Sequence, residues 1–302
     1  MQSISYYSIA VAAFLTFALF ASYTSSDGSP IEDAEVDKLP QMIKPVSLNK
    51  AFDFAGESVP MENFDARERL DRELTENSYR HGRNMLNLKK AKRYFPYIEK
   101  ILAQYGVPDD FKYVAVAESD LSNAVSPAGA KGFWQFMRLT AKDYGMEVSS
   151  TVDERYHLEM ATEAACKHII KLKNQFGNWT LAAAAYNMGQ TRLRKDMGIQ
   201  KATNFYDLNL NRETSRYIFR LLAFKEIMSN PEEYGFNLEG EGYSPLDDYA
   251  VVEVNETIPN LGDFASKYGI SYRMLKLYNP WLVSTSLANK SRKQYFIKIP
   301  RR

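Results

Sequence analysis

The chain has 302 residues, and its 38 basic and 37 acidic side chains leave a formal net charge of +1. Hydrophobic residues at 45% can bury a sizeable core, and the length points to about two domains. Collagen-like, fully disordered and disulfide-framed proteins are excluded, the last because Cys166 is the one cysteine, and nucleic acid is excluded as a general partner because no bulk positive charge is available to displace counterions from phosphates.

No charged side chain occurs before Asp27, and the run from Ile9 to Ala21 reads IAVAAFLTFALFA. As a helix rising about 1.5 Å per residue, the uncharged stretch 4–23 reaches the ~30 Å of a bilayer core. Residues 1–23 are expected to be a signal peptide or an uncleaved N-terminal membrane anchor. The absence of Lys or Arg ahead of the apolar run weakens the first reading. No cysteine follows closely, so a lipoprotein anchor is not expected. A linker is expected over 24–60, because the stretch from Thr24 to Gln41, TSSDGSPIEDAEVDKLPQ, holds little that could pack. From Met61 to His81 the charged run has Leu70 and Leu74 one turn apart, which predicts a surface helix with a narrow apolar stripe.

From about 90 to 230, good helix formers dominate and sustained strand-like alternation is absent. Helices are expected around 92–105, 109–119, 132–144, 159–176, 179–188 and 211–229. Gly106, Gly145, Gly177 and Gly189 stand where these should stop, and Pro108 stands at a start. Glu118 comes near the end of the run FKYVAVAES, seven, four and three residues after Phe111, Val114 and Ala115, so its carboxylate projects from an apolar helix face. It also falls in the last turn, where the negative end of the helix dipole disfavours an anion; desolvation acts in the same direction, and both raise its pKa. A carboxyl kept protonated near neutral pH suits a general acid for glycoside cleavage. A lone Glu at a helix end would otherwise turn to solvent.

The surrounding motifs give that residue its context. Glu118-Ser119 is followed by Gly132-Phe133-Trp134-Gln135-Phe136-Met137 and then by Ala185-Tyr186-Asn187-Met188-Gly189. This ordered set resembles the soluble-lytic-transglycosylase-type catalytic domain, a goose-type-lysozyme-like helical fold that cleaves bacterial cell-wall glycan. Thr151-Val152-Asp153-Glu154-Arg155 and Arg212-Glu213-Thr214-Ser215-Arg216-Tyr217 resemble its membrane-bound murein transglycosylase D branch. The resemblance covers roughly 65–229. It implies that Glu118 is the sole catalytic acid and base, cleaving the β-1,4 bond between MurNAc and GlcNAc and leaving a 1,6-anhydro end. It further implies substrate-binding roles for Ser119, Gln135, Tyr186, Asn187 and Tyr217, with Tyr217 also helping to position the acid. The implied location is the cell envelope, on the periplasmic side, and the implied partner is the peptidoglycan glycan strand, with the membrane as a second partner if residues 1–23 stay uncleaved. Trp134 and its apolar neighbours read as core rather than as a sugar platform. No cofactor is expected. His81, His157 and His168 lack ligand spacing, so no metal is expected either.

Residues 235–248, with Gly, Pro and acids, read as a second linker. Beyond it Val251–Val254 and Tyr295–Pro300 predict strands, with two short helices between them over 261–270 and 272–280. This order, with Thr257-Ile258, Tyr268-Gly269-Ile270 and Leu277-Tyr278-Asn279-Pro280, resembles a divergent lysin-motif (LysM) module, a family that binds N-acetylglucosamine-containing glycans. Pro259-Asn260 departs from the usual pattern, and after Asp263 all charged groups are basic, which fits either an anionic wall polymer or a solvated face. The expected fold is therefore mainly α, a lysozyme-like catalytic domain over 61–234 plus a small α+β (βααβ) glycan-binding module over 249–302. Two other readings stay open on sequence: a lysozyme-like hydrolase in which Asp120 or Asp143 positions water, and an inactive wall-binding protein.

Overall fold

The computed structural model describes residues 45–301, so the apolar segment 4–23 and most of the first expected linker lie outside the described residues. Among the described residues no helix is long and apolar enough to cross a membrane. Residues 46–301 belong to one compact unit. It opens with a short antiparallel hairpin, β1 (Asp53–Phe54) and β2 (Glu57–Ser58). Next come helices α1 (Phe64–Ser78) and α2 (His81–Tyr105), a single 3-10 turn at Asp109–Phe111, and α3 (Lys112–Ser119). After a long irregular segment, α4 (Arg138–Asp143), α5 (Leu158–Phe176), α6 (Trp179–Met188), α7 (Gln190–Gln200) and α8 (Arg212–Ser229) complete the helical body. The C-terminal module is β3 (Tyr249–Val254), α9 (Leu261–Lys267), α10 (Tyr272–Tyr278) and β4 (Tyr295–Pro300), with β3 and β4 antiparallel from Tyr249↔Pro300 to Val254↔Tyr295. The architecture is mainly α with a βααβ module, as expected.

Local chemistry sets the helix ends. Asn63, Asn178 and Asn211 cap α1, α6 and α8, each side-chain oxygen accepting N–H groups that the first turn leaves unpaired. Gly106 closes α2 at φ +67°, and Val107 N–H returns to the Leu102 carbonyl, the left-handed stop that the sequence placed there. In the module Asn260 caps α9 through Gly262 N–H, which gives the unusual Pro259-Asn260 pair a structural task.

Three expectations need correction. Residues 132–137 are not helical; the helix is confined to 138–143. Lys131 and Phe136 pair across a tight turn in which Gln135 sits at φ +49°. Phe133, Trp134 and Phe136 are all buried, and a helix would splay these near-consecutive side chains over different faces where the turn sends all three inward. The expected linker does not run to residue 60, because Phe52, Phe54 and Val59 belong to the main core, where the Phe54 ring meets Phe111 edge-on at 5.2 Å. Helix α2 starts at His81 rather than near 92, its first turns disguised by polar residues such as Asn84 and Asn87 that the fold buries. Helix α7 was not anticipated, since Leu193 is its one buried residue.

Helix α6 lies against α5 and α8, and its alanines Ala182 to Ala185 are all buried, which lets the backbones approach closely. The hairpin secures the start of this helix: Glu57 accepts Trp179 N–H at 2.6 Å, Thr180 N–H at 2.8 Å and the Thr180 hydroxyl at 2.6 Å. An anion at a helix N-terminus also meets the positive end of the dipole. Glu57→Ala should therefore lower stability by about 1–3 kcal/mol with an unchanged dependence on denaturant, measured by urea unfolding.

Candidate active site

Glu118 stands one residue from the end of α3, and Asp120 closes that helix in the left-handed region at φ +51°. Phe111, Val114 and Ala115 are buried, so the face that carries the carboxylate is apolar, as the spacing requires. Tyr217, from α8, donates its hydroxyl hydrogen to Glu118 Oε1 at 2.7 Å. The residue as a whole is half-buried. Burial nevertheless holds its pKa above the ordinary 4.5, opposed by the Tyr217 hydrogen bond and the nearby Arg220 guanidinium and reinforced by Glu213.

Tyr186, from α6, feels the Glu118 charge, and burial pushes its phenol far above its usual range. Its hydroxyl hydrogen is spent on the Trp134 carbonyl at 2.7 Å. Ser119 is likewise committed: its buried hydroxyl reaches the carbonyls of Ala115 and Phe133, both at 2.9 Å. Gln135 Nε2 donates to the carbonyls of Ala124 at 3.1 Å and Gly132 at 2.8 Å. Three residues expected to touch substrate thus brace the 129–136 loop through these groups, because the turn leaves carbonyls that need donors. Asn187 differs. It is half-buried at the end of α6, and its amide makes no hydrogen bond among the described residues, so it is open to a ligand. Trp134 is fully buried with its indole N–H on Thr162 Oγ1 at 2.9 Å, a core residue as expected.

Other carboxylates near the chain position of Glu118 are occupied or remote. Asp120 accepts Arg83 Nε at 2.6 Å and Asn87 Nδ2 at 3.0 Å, and Asp143 is exposed at the end of α4. Arg220 is a site residue that the sequence reading missed; its position one turn after Tyr217 on the same helix is the signal that would have found it. Among the described residues no group of three or more His, Cys, Asp or Glu side chains could hold a metal ion. A cavity of about 250 Å³ is lined by Asn123 and by Phe133 of the 129–136 loop and runs to Tyr278, Trp281 and Lys298 of the C-terminal module, without Glu118 in its lining.

Residues 96–209 match the transglycosylase SLT domain, and residues 250–302 match the soluble lytic transglycosylase C-terminal LysM-like domain. The membrane-bound lytic murein transglycosylase D of Escherichia coli strain K12 is 30% identical over 244 residues, which are 78% of this chain and 52% of that protein. The protein of the same name from Escherichia coli O6:H1 strain CFT073 matches to the same extent. The chain spans about half the length of the curated relatives it matches. The crystal structure of the 70 kDa soluble lytic transglycosylase of Escherichia coli aligns with 46% of this chain and 24% of its own, at 22% identity and a TM-score of 0.39. The chain thus carries an SLT domain followed by a LysM-like domain.

Burial of Glu118 has a consequence for stability. Its folded form holds the proton more tightly than the unfolded chain, so stability falls as pH rises from about 4.5 through the raised folded value and levels off above it. Glu118→Gln escapes this loss. It should be more stable than the wild type at pH 7 and equal to it at pH 3, as read from urea unfolding at the two pH values.

Proposed function

We propose that this chain, an SLT domain joined to a LysM-like domain, cleaves peptidoglycan as a lytic transglycosylase with Glu118 as its one acid and base. The observation that carries the reading is the half-buried Glu118 carboxyl, whose hold on its proton is strengthened by desolvation and which the Tyr217 hydroxyl orients. In the proposed reaction Glu118 gives its proton to the oxygen linking MurNAc to GlcNAc. The resulting carboxylate then takes the proton of the MurNAc C6 hydroxyl as that oxygen attacks C1 of the same sugar. The old C1–O bond breaks, a C6–O–C1 bond closes the 1,6-anhydro ring, and no water is consumed.

An internal nucleophile has high effective molarity, so no second carboxylate is needed to hold a water. The engagement of Asp120 by Arg83 and Asn87 and the exposure of Asp143 support this over hydrolysis, in which one of them would activate water on the opposite face of the sugar. Asn187 is the residue we assign to the substrate, its uncommitted amide suited to an N-acetyl group. Ser119, Gln135 and Tyr186 hold the loop beside the acid. The domain division 61–234 and 249–302 serves this reading, with the hairpin at 53–58 added to the catalytic body. The uncharged segment 4–23, together with the name of the membrane-bound relative, supports export to or anchoring at the cell envelope.

Digestion of purified sacculi with product masses read by mass spectrometry tests the reaction. Anhydro-ended fragments, lighter by one water than hydrolysed ones, are expected from the wild type; hydrolysed ends alone would overturn the mechanism. Glu118→Gln should bind sacculi and release no soluble fragments, and undiminished release would end its assignment. Asn187→Ala should lower kcat/KM by roughly 10- to 100-fold, the loss of one or two good hydrogen bonds to a bound sugar.

A further inference from the structure

The segment carrying Asp153 and Arg155 lies between the catalytic loop and the C-terminal module and touches both. Arg155 and Asp153 are each nearly inaccessible, with side-chain exposures of 4% and 3%. They form a two-pronged pair, Nε to Oδ1 at 2.8 Å and Nη2 to Oδ2 at 2.7 Å. The remaining guanidinium nitrogen, Nη1, points at the loop and donates to the carbonyls of Gly129 and Phe136, both at 3.1 Å. Contact is close from the other side too. Gly132 sits at φ +80°, and a Cβ there would lie 1.9 Å from the Arg155 carbonyl oxygen, so any other residue would push the loop off this segment. Ser119, next to Glu118 in the chain, is tied to the same loop at Phe133.

The module grips the segment from behind. Asp153 N–H donates to the Trp281 carbonyl at 2.9 Å, and Val283 N–H donates to the Thr151 carbonyl at 3.0 Å. Val152 is fully buried among Leu261, Leu282 and Leu287 of the module, so a residue of the catalytic body belongs to the core of its neighbour. Two cations of the module's basic run are used here. Lys293 pairs with Glu147 at 2.8 Å and Glu154 at 3.0 Å, and Lys298 pairs with Glu159. A module that merely tethers an enzyme to its polymer has no need of such an interface.

We propose that Arg155 is a positioning residue for the catalytic loop, and that docking of the C-terminal module on residues 151–153 is what holds it in place. The module then acts as a buttress of the active site, whether or not it also binds glycan. Loosening it lets the 129–136 loop move away from the Ser119–Glu118 helix end. Substrate binding through Asn187 on α6 is expected to change little, whereas the orientation of the acid suffers. This rests on the reading of Glu118 as the acid, and its test includes a measurement that needs no turnover.

Two variants of the full chain are compared with the wild type by amide hydrogen exchange and by kinetics on soluble glycan strands. Arg155→Lys keeps the charge but cannot span Asp153 and two carbonyls at once. Lys293→Glu places a third acid beside Glu147 and Glu154 at the accessible rim of the seam, and so keeps the test open if the buried variant fails to fold. The loop amides to follow are Lys131 and Phe136, which bond each other's carbonyls, and Gly132, which donates to Ala124. Their exchange should quicken by roughly ten- to a hundredfold in Arg155→Lys, the range for losing hydrogen bonds from a charged group, and several-fold in Lys293→Glu. Amides of α6 should keep wild-type protection, and kcat should fall with KM within about twofold. Unchanged exchange at 131–136 in the folded variants would overturn the proposal, and so would an acceleration spread evenly over α6 and the loop. A wild type that releases no fragments would instead end the functional reading and leave the exchange result standing.

Discussion

A single hydrogen bond, from the Tyr217 hydroxyl to Glu118 Oε1, joins side chains 99 positions apart and fixes the direction of that carboxyl. A carboxyl at a helix end, on an apolar face, is in conflict with its surroundings: burial favours the neutral form, while the phenol and Arg220 favour the charged one. The balance leaves the pKa raised, so the group can hold a proton and yet still accept a hydrogen bond that fixes its direction. A carboxyl with desolvation alone would be protonated but free to rotate. One with a tight ion pair would be fixed but ionised.

Much of the helical body serves to bring these two side chains together. The buried alanines of α6 permit its close approach to α5 and α8, and α8 in turn carries Tyr217 and Arg220 toward α3. Glu73, buried on α1, pairs with Arg216 and lies 3.9 Å from Arg220. Arg220 lies near Glu73, Glu213 and Glu118, and its lowering effect on the Glu118 pKa is smaller than that of Tyr217.

The loop at 129–136 shows how one segment answers several demands. Its large apolar side chains fill the core, while its carbonyls need donors that a helix would have supplied internally. Ser119, Tyr186, Gln135 and Arg155 supply them, each from a different part of the chain. The cluster is consistent with a site whose geometry is fixed before any ligand arrives. The C-terminal domain contributes to that fixity through the 151–155 segment, so its basic run is partly spent inside the molecule on Glu147, Glu154 and Glu159.

Sequence by itself determined the helical class, the capped ends at Gly106 and Gly177, the apolar face behind Glu118, and the βααβ order of the module, because periodicity and capping act over a few residues. It also singled out Glu118 and Tyr217, through separated motifs in a recognisable order. Only the tertiary structure decided which of the other polar residues spend their side-chain groups on the protein itself. Ser119, Gln135 and Tyr186 carry the same groups as a binding residue would, and whether a hydroxyl or amide is spent on a carbonyl depends on where a distant loop passes. The same holds for the hairpin at 53–58 and for the Asp153–Arg155 pair: burial is a property of what packs on a residue, and no local pattern around Phe54 or Arg155 records it.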